Sequence, residues 1–90
     1  MAKISIDEID LSTFHVGVVD QITTNHVVTV KVNYALSLTA SKITTKQLVY
    51  NAFEFLLARE PNTSILRNFD LKVIPGYFPE FDQTMRQLVP

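Results

Sequence analysis

Two histidines are the residues of this chain whose chemistry is most worth testing. His15 and His26 lie on either side of the short polar segment 21–25, which is typical of a hairpin loop between paired strands. If the two side chains are cross-strand neighbours, they could form a metal site or a pH-dependent pair. Their register is open from the sequence alone. The pattern favours the simpler interpretation of two partly exposed histidines near strand ends.

Three acidic residues form a second candidate. Asp7, Glu8 and Asp10 are close in sequence, and carboxylates at such spacing suit a cation that prefers oxygen ligands. The glycine and the regularly spaced ligands of a calcium-binding loop are missing. We therefore interpret this cluster as a solvated turn and predict no metal site.

Other catalytic patterns are not found in the sequence. The chain has no cysteine and only two glycines, which excludes disulfides, thiolate chemistry and a glycine-rich phosphate loop. Serine, histidine and acidic residues are present, but none stands in the setting of a nucleophile elbow. The sequence therefore favours a non-enzymatic protein without a cofactor.

The charge balance argues against nucleic acid as a partner. The 90 residues carry a net charge of −1, whereas nucleic-acid-binding domains are usually strongly basic. The start of the chain lacks the apolar stretch of a signal peptide, and no apolar run reaches the roughly 18 residues of a membrane span. We expect a cytoplasmic protein that does not act at a membrane.

Two segments alternate between apolar and polar residues in the way that is typical of β-strands. Residues 14–20 and 26–38 show this pattern, and the second segment is rich in β-branched residues. The simplest arrangement is an antiparallel hairpin, with residues 1–13 as a further short strand or an extended arm. A strand of about thirteen residues is longer than usual. Its unpaired edge, which carries few charges, favours pairing with another chain.

Residues 44–60 form the most regular segment and predict a helix. Thr44 and Gln47 fit a capping box at its start, and Pro61 ends it. Apolar residues recur at spacings of three and four and cover an arc of about 220°, against about 100° for an ordinary surface helix. We expect the sheet to cover one side of this helix. The other side requires the C-terminal segment or another protomer.

The last third of the chain predicts one or two short helices. Residues 62–64 can cap the first of them, and residues 69–74 fit either a strand or helical turns, with the apolar spacing favouring turns. Pro79 suits the first position of a final helix with Phe81, Met85 and Leu88 on one face. The aromatic residues of segment 77–81 are compatible with a place in the core or at an interface.

These patterns together predict one small α+β domain over residues 1–90. An antiparallel hairpin of two or three strands packs on one long central helix, followed by one or two short C-terminal helices. We expect a non-enzymatic protein-interaction or assembly module that pairs with itself as a homodimer or with another protein. The residues predicted at the interface are Tyr50, Phe55, Tyr77, Phe78 and Phe81.

An alternative function is open from the same residues. A small ligand or metabolite could bind in a pocket between the helix and the sheet. In that case His15, His26 or Tyr50 would supply the polar groups of the pocket. The two functions differ in whether a small molecule or a protein stabilises the fold.

Overall fold

A computed structural model describes residues 2–90 and has an α+β fold with a four-stranded mixed sheet. The strands are β1 (Lys3–Asp10), β2 (Thr13–Val19), β3 (Thr24–Thr29) and β4 (Asn68–Asp70). The helices are α1 (Val32–Thr39), α2 (Thr45–Leu57), α3 (Ile74–Tyr77) and α4 (Phe81–Gln87), and single 3₁₀ turns occupy Asn62–Ser64 and Leu71–Val73. The predicted α+β class is confirmed. The predicted hairpin on one long helix matches the structure only roughly.

The sheet has the strand order β1-β2-β3-β4. The first three strands form an antiparallel meander, and β4 pairs parallel to β3. A parallel neighbour requires a crossover connection, and α1 and α2 provide it. Alternate residues of the strands, including Ile6, Val16 and Val28, lie in the core, whereas Ser5 and Asp7 are exposed. The helices therefore cover one face of the sheet and leave the other to solvent.

The predicted long strand over residues 26–38 is wrong in its second half. β3 ends at Thr29, and the eight residues from Val32 to Thr39 form α1. Within α1 the buried side chains are Ala35, Leu38 and Thr39, at the spacings of a helix, whereas Leu36 is 46% exposed. A short run of this kind fits the periods of both a strand and a helix. Packing of α1 against α4 selects the helix.

The central helix forms as predicted. The hydroxyl of Thr44 accepts a hydrogen bond from the backbone N–H of Gln47 at 3.0 Å, and the Gln47 side chain accepts one from the Thr44 N–H at 3.0 Å. This capping box starts α2, which contacts β1, α1 and α4. Both the sheet and the C-terminal segment therefore cover the wide apolar arc.

The segment 69–74 contains both of the structures that the sequence allowed. Phe69 is the central residue of β4, and a 3₁₀ turn and α3 follow it. The carboxylate of Asp70 accepts a hydrogen bond from the Lys72 N–H at 3.0 Å and so ends the strand. In the last helix Phe81 and Met85 are fully buried. Leu88 lies beyond the end of α4 and is 54% exposed, so the predicted three-residue apolar face is wrong at that position.

Candidate interaction surface

The register of the sheet separates the two histidines. His15 pairs with Val27, and His26 pairs with Val16. Because neighbouring positions along a strand face opposite sides of a sheet, the two rings lie on opposite faces. His15 is half-exposed on the solvent face, with its Nδ1 atom 4.0 Å from a carboxylate oxygen of Asp7. His26 is fully buried. The hypothesis of a cross-strand histidine pair is therefore wrong, as is the partial exposure predicted for His26.

The acidic cluster is part of a strand rather than a turn. Asp7, Glu8 and Asp10 belong to β1 and are exposed. The backbone N–H of Ser12 donates to Asp10 and, with a further hydrogen bond from the Thr13 side chain, lowers the pKa of that carboxyl group. Within residues 2–90, no three histidine or acidic side chains lie close enough together to hold a metal ion.

A chain of buried hydrogen bonds surrounds His26. Its Nδ1 atom lies 2.7 Å from the carbonyl oxygen of Leu66, which can only accept, so Nδ1 carries the proton. Its Nε2 atom lies 2.8 Å from the hydroxyl of Thr24, which then donates to it. The amide of Asn62 donates in turn to Thr24 at 3.0 Å and to the carbonyl of Ile22 at 2.7 Å. The hydrogen bond from Thr24 to Nε2 requires a neutral imidazole, because a protonated ring has no acceptor nitrogen.

Burial is the main reason that the pKa of His26 is lowered from its ordinary value, because the charged ring would lose its water. The hydrogen bond to Leu66 acts in the opposite direction, and the charges of Arg67 and His15 lower the pKa further. Both ring nitrogens are occupied within the protein. His26 is therefore a structural residue that fixes the segment before β4 to β3, and the sequence patterns of this segment gave no sign of it.

An open apolar groove lies between α2, the segment before β4, and α3. Its volume is about 160 Å³, similar to a cavity of about 150 Å³ that accepts benzene. Three of the apolar side chains at this groove are well exposed: Leu66 at 51%, Val73 at 39% and Tyr77 at 71%. The residues that line it are Leu56, Ser64, Ile65, Leu66, Phe69, Val73, Ile74, Tyr77 and Phe78. The polar residues predicted for a ligand pocket, His15, His26 and Tyr50, do not line this groove.

The five residues predicted at an interface occupy different environments. Phe55 and Phe81 are buried in the core, where their rings stack edge to face with centroids 5.1 Å apart. Phe78 packs edge to face on Phe55 at 5.8 Å and is half-buried at the groove. Tyr77 is exposed beside the groove, and Tyr50 is 42% exposed on α2. Phe55 and Phe81 are thus core residues of the single chain, and Tyr50, Tyr77 and Phe78 are accessible from outside.

A second uncovered surface runs along the side of the molecule at β1. β1 is an edge strand, so its outer backbone groups have no neighbouring strand. Beside this edge, Tyr50 of α2 lines a cavity of about 280 Å³ together with Ile4, Ile6, Lys46 and Gln47. Further along, Glu54 and Leu57 line a second cavity of about 290 Å³ that also includes Ala2 and Ile4. We name residues 3–7 of β1 and the α2 residues Lys46, Tyr50, Glu54 and Leu57 the edge face.

The longest described helix is α2, with 13 residues, and no helix within residues 2–90 is long and apolar enough to cross a membrane. No protein-family model, curated protein or solved structure matches this chain.

Proposed function

We propose that this chain is a non-enzymatic protein-interaction module that assembles as a homodimer. The observation that carries the proposal is the edge face. It combines the free edge of β1 with an exposed aromatic residue, Tyr50, and a half-buried aliphatic residue, Ile4. An edge strand offers a row of backbone donors and acceptors to another chain, and apolar side chains next to it add contact area.

The placement of the reactive side chains supports a binding role rather than catalysis. Both nitrogens of His26 are engaged in buried hydrogen bonds. His15 lies on the solvent face of the sheet, with its Nδ1 atom 4.0 Å from a carboxylate oxygen of Asp7. The polar side chains at the apolar groove are Ser64 and Tyr77. A serine nucleophile needs a base within hydrogen-bond reach, and neither histidine lines the groove.

The oligomeric state tests this proposal. We expect light scattering to give twice the 10.2 kDa of one chain as the protein concentration is raised to about 100 μM. This concentration lies well above the dissociation constants of stable interfaces. A mass of one chain over this whole range would refute the homodimer.

A second candidate function is supported by the apolar groove. Its volume of about 160 Å³ and its apolar lining suit a small aromatic or aliphatic ligand. A ligand that binds only the folded protein raises the melting temperature. We expect indole, used as a probe, to stabilise the wild-type protein if the groove is a ligand site.

A matched pair of variants locates such binding. V73D places a charge at the groove, whereas V32D places one on the exposed surface of α1, where Val32 is 52% exposed. Stabilisation by indole that V73D abolishes and V32D retains would support the ligand function. If indole leaves the wild-type melting temperature unchanged, this candidate fails.

A further inference from the structure

We propose that the edge face binds the edge face of a second copy about a two-fold axis that passes Ser5 of β1 and Tyr50 of α2. This inference rests on the proposed homodimer and specifies its geometry. In such a dimer each β1 pairs antiparallel with the other, and the two four-stranded sheets join into one. Three observations lead to this axis: the length of the regular edge, the charges of β1 and the charges of α2.

The regular part of the free edge is short, and Ser5 lies near its middle. The pairing of β1 with β2 shifts between Glu8 and Asp10, so the strand bends beyond Glu8. The regular edge therefore covers residues 3–8. A two-fold axis at Ser5 pairs residues 3–7 of one copy with residues 3–7 of the other.

The charges of β1 favour the same centre. Antiparallel pairing about Ser5 places Lys3 of each copy opposite Asp7 of the other and Ile4 opposite Ile6. Lys3 and Asp7 lie on the solvent face of the sheet and are exposed. Opposite charges in directly facing positions stabilise a strand pair, and like charges destabilise it. A centre at Asp7 would place that carboxylate opposite itself, and a centre at Ile6 would leave Lys3 without a charged partner.

The charges of α2 show a similar symmetry about Tyr50. Lys46 lies one helical turn before Tyr50 and Glu54 one turn after it, and both are exposed. A two-fold axis at Tyr50 places Lys46 of each copy opposite Glu54 of the other. One turn of four residues spans about 6 Å, and two residues of a strand span about 6.6 Å. The charged pairs of the helix and of the strand are therefore at matching distances from their centres.

The two centres lie at the same place in the molecule. Tyr50 shares a cavity with Ile4 and Ile6, the two neighbours of Ser5. Glu54 shares the next cavity with Ile4, on the side of the strand where Lys3 lies. One axis therefore satisfies the charges of both layers. A heterologous partner would have no reason to match this internal symmetry, which is why we assign the surface to a second copy.

Charge reversal in β1 tests the geometry. K3D and D7K each turn both opposite-charge strand pairs of the dimer into like-charge pairs, and we expect each to weaken dimerisation about tenfold or more. The double variant K3D/D7K restores opposite charges and should dimerise like the wild type. An equimolar mixture of K3D and D7K should form mixed dimers more tightly than either variant dimerises alone. K72D is the control, since Lys72 is exposed in the turn that directly follows β4, at the opposite edge of the sheet from β1.

The outcomes separate this inference from the proposed function. A wild-type dimer that K3D and D7K leave unchanged would overturn the axis but keep the homodimer. A monomeric wild-type protein would overturn both. K46E and E54K repeat the experiment in α2, and each single variant should weaken dimerisation. The double variant K46E/E54K should restore it. Unchanged melting temperatures at dilutions where the protein is monomeric exclude a folding defect as the cause.

Discussion

The buried imidazole of His26 makes the stability of the protein dependent on pH. Its pKa in the folded state is lowered by burial, while the unfolded chain has the ordinary value of about 6.5. The unfolded state therefore takes up a proton first as the pH falls through about 6.5. The stability that the neutral ring provides is fully present above that pH and is lost below it.

The size of the effect follows from proton linkage. One extra proton bound by the unfolded chain lowers the free energy of unfolding by about 1.36 kcal/mol for each unit by which the pH falls. As long as His26 stays neutral in the folded protein, the change from pH 7.5 to pH 5 lowers the free energy of unfolding by about 2 kcal/mol. For a domain of this size the melting temperature then falls by about 10 °C. The carboxyl group of Asp10, whose pKa is lowered, contributes only at more acidic pH.

Urea unfolding at a series of pH values measures this loss of stability. NMR titration of the His26 ring tests whether this side chain causes the loss. We expect the ring of His26 to titrate below 6.5 in the folded protein. H15Q is the matched control, because His15 lies on the opposite face of the sheet and its loss should leave the pH dependence in place. A His26 ring that titrates at or above 6.5, or a stability that is flat between pH 7.5 and pH 5, would refute this reasoning.

Three further substitutions test individual contacts. N62A removes the hydrogen bonds to Ile22 and Thr24 and should lower the free energy of unfolding by about 2 kcal/mol in urea titrations. Y34F removes the 2.5 Å hydrogen bond that joins α1 to Asp82 of α4, and we expect a loss of about 1.5 kcal/mol. A40G should instead raise the free energy of unfolding by about 1 kcal/mol, and with it the melting temperature. Residue 40 has a left-handed φ of 50°, which glycine adopts without strain.

Each of these variants has a control of the same chemistry. N25A and Y77F alter exposed side chains and should change the free energy of unfolding by less than about 0.5 kcal/mol. A58G places glycine at a right-handed helix end, where φ is −72°, and should destabilise. If a control shifts the stability as much as its test variant, the contact that we assign to that variant is not responsible.

The central helix could be read from the sequence because its signals are local. The capping box of Thr44 and Gln47, the apolar spacing and Pro61 all act within a few residues of the element that they define. The strand β2 was also recognisable from alternation. In these segments local preference and tertiary packing agree, so the sequence alone was sufficient.

The errors arise where distant contacts decide the structure. α1 has the composition of a strand, yet the hydrogen bond from Tyr34 to Asp82 and the one from Arg86 to the Ser37 carbonyl fix it against α4. β4 is three residues long and pairs parallel with β3. A strand this short has no readable period.

The candidate surface was only partly visible in advance. Tyr50 and Tyr77 were among the predicted interface residues, and both are exposed. Phe55 and Phe81 were not distinguishable from them by composition, because burial depends on the packing of α4 on α2. The exposure of β1 as an edge strand depends on the strand order, which no local sequence pattern indicates.

Cysteine cross-linking of the edge face tests the central claim most directly, because the natural chain contains no cysteine. In the proposed dimer the two copies of residue 5 face each other with Cα atoms about 5 Å apart, a distance that a disulfide spans. We therefore predict that S5C forms a disulfide-linked dimer under mild oxidation. N25C is the control: Asn25 lies in the same row of the sheet but two strands further in, about 24 Å from its symmetry mate. S5C that stays monomeric, or N25C that cross-links equally well, would contradict the account.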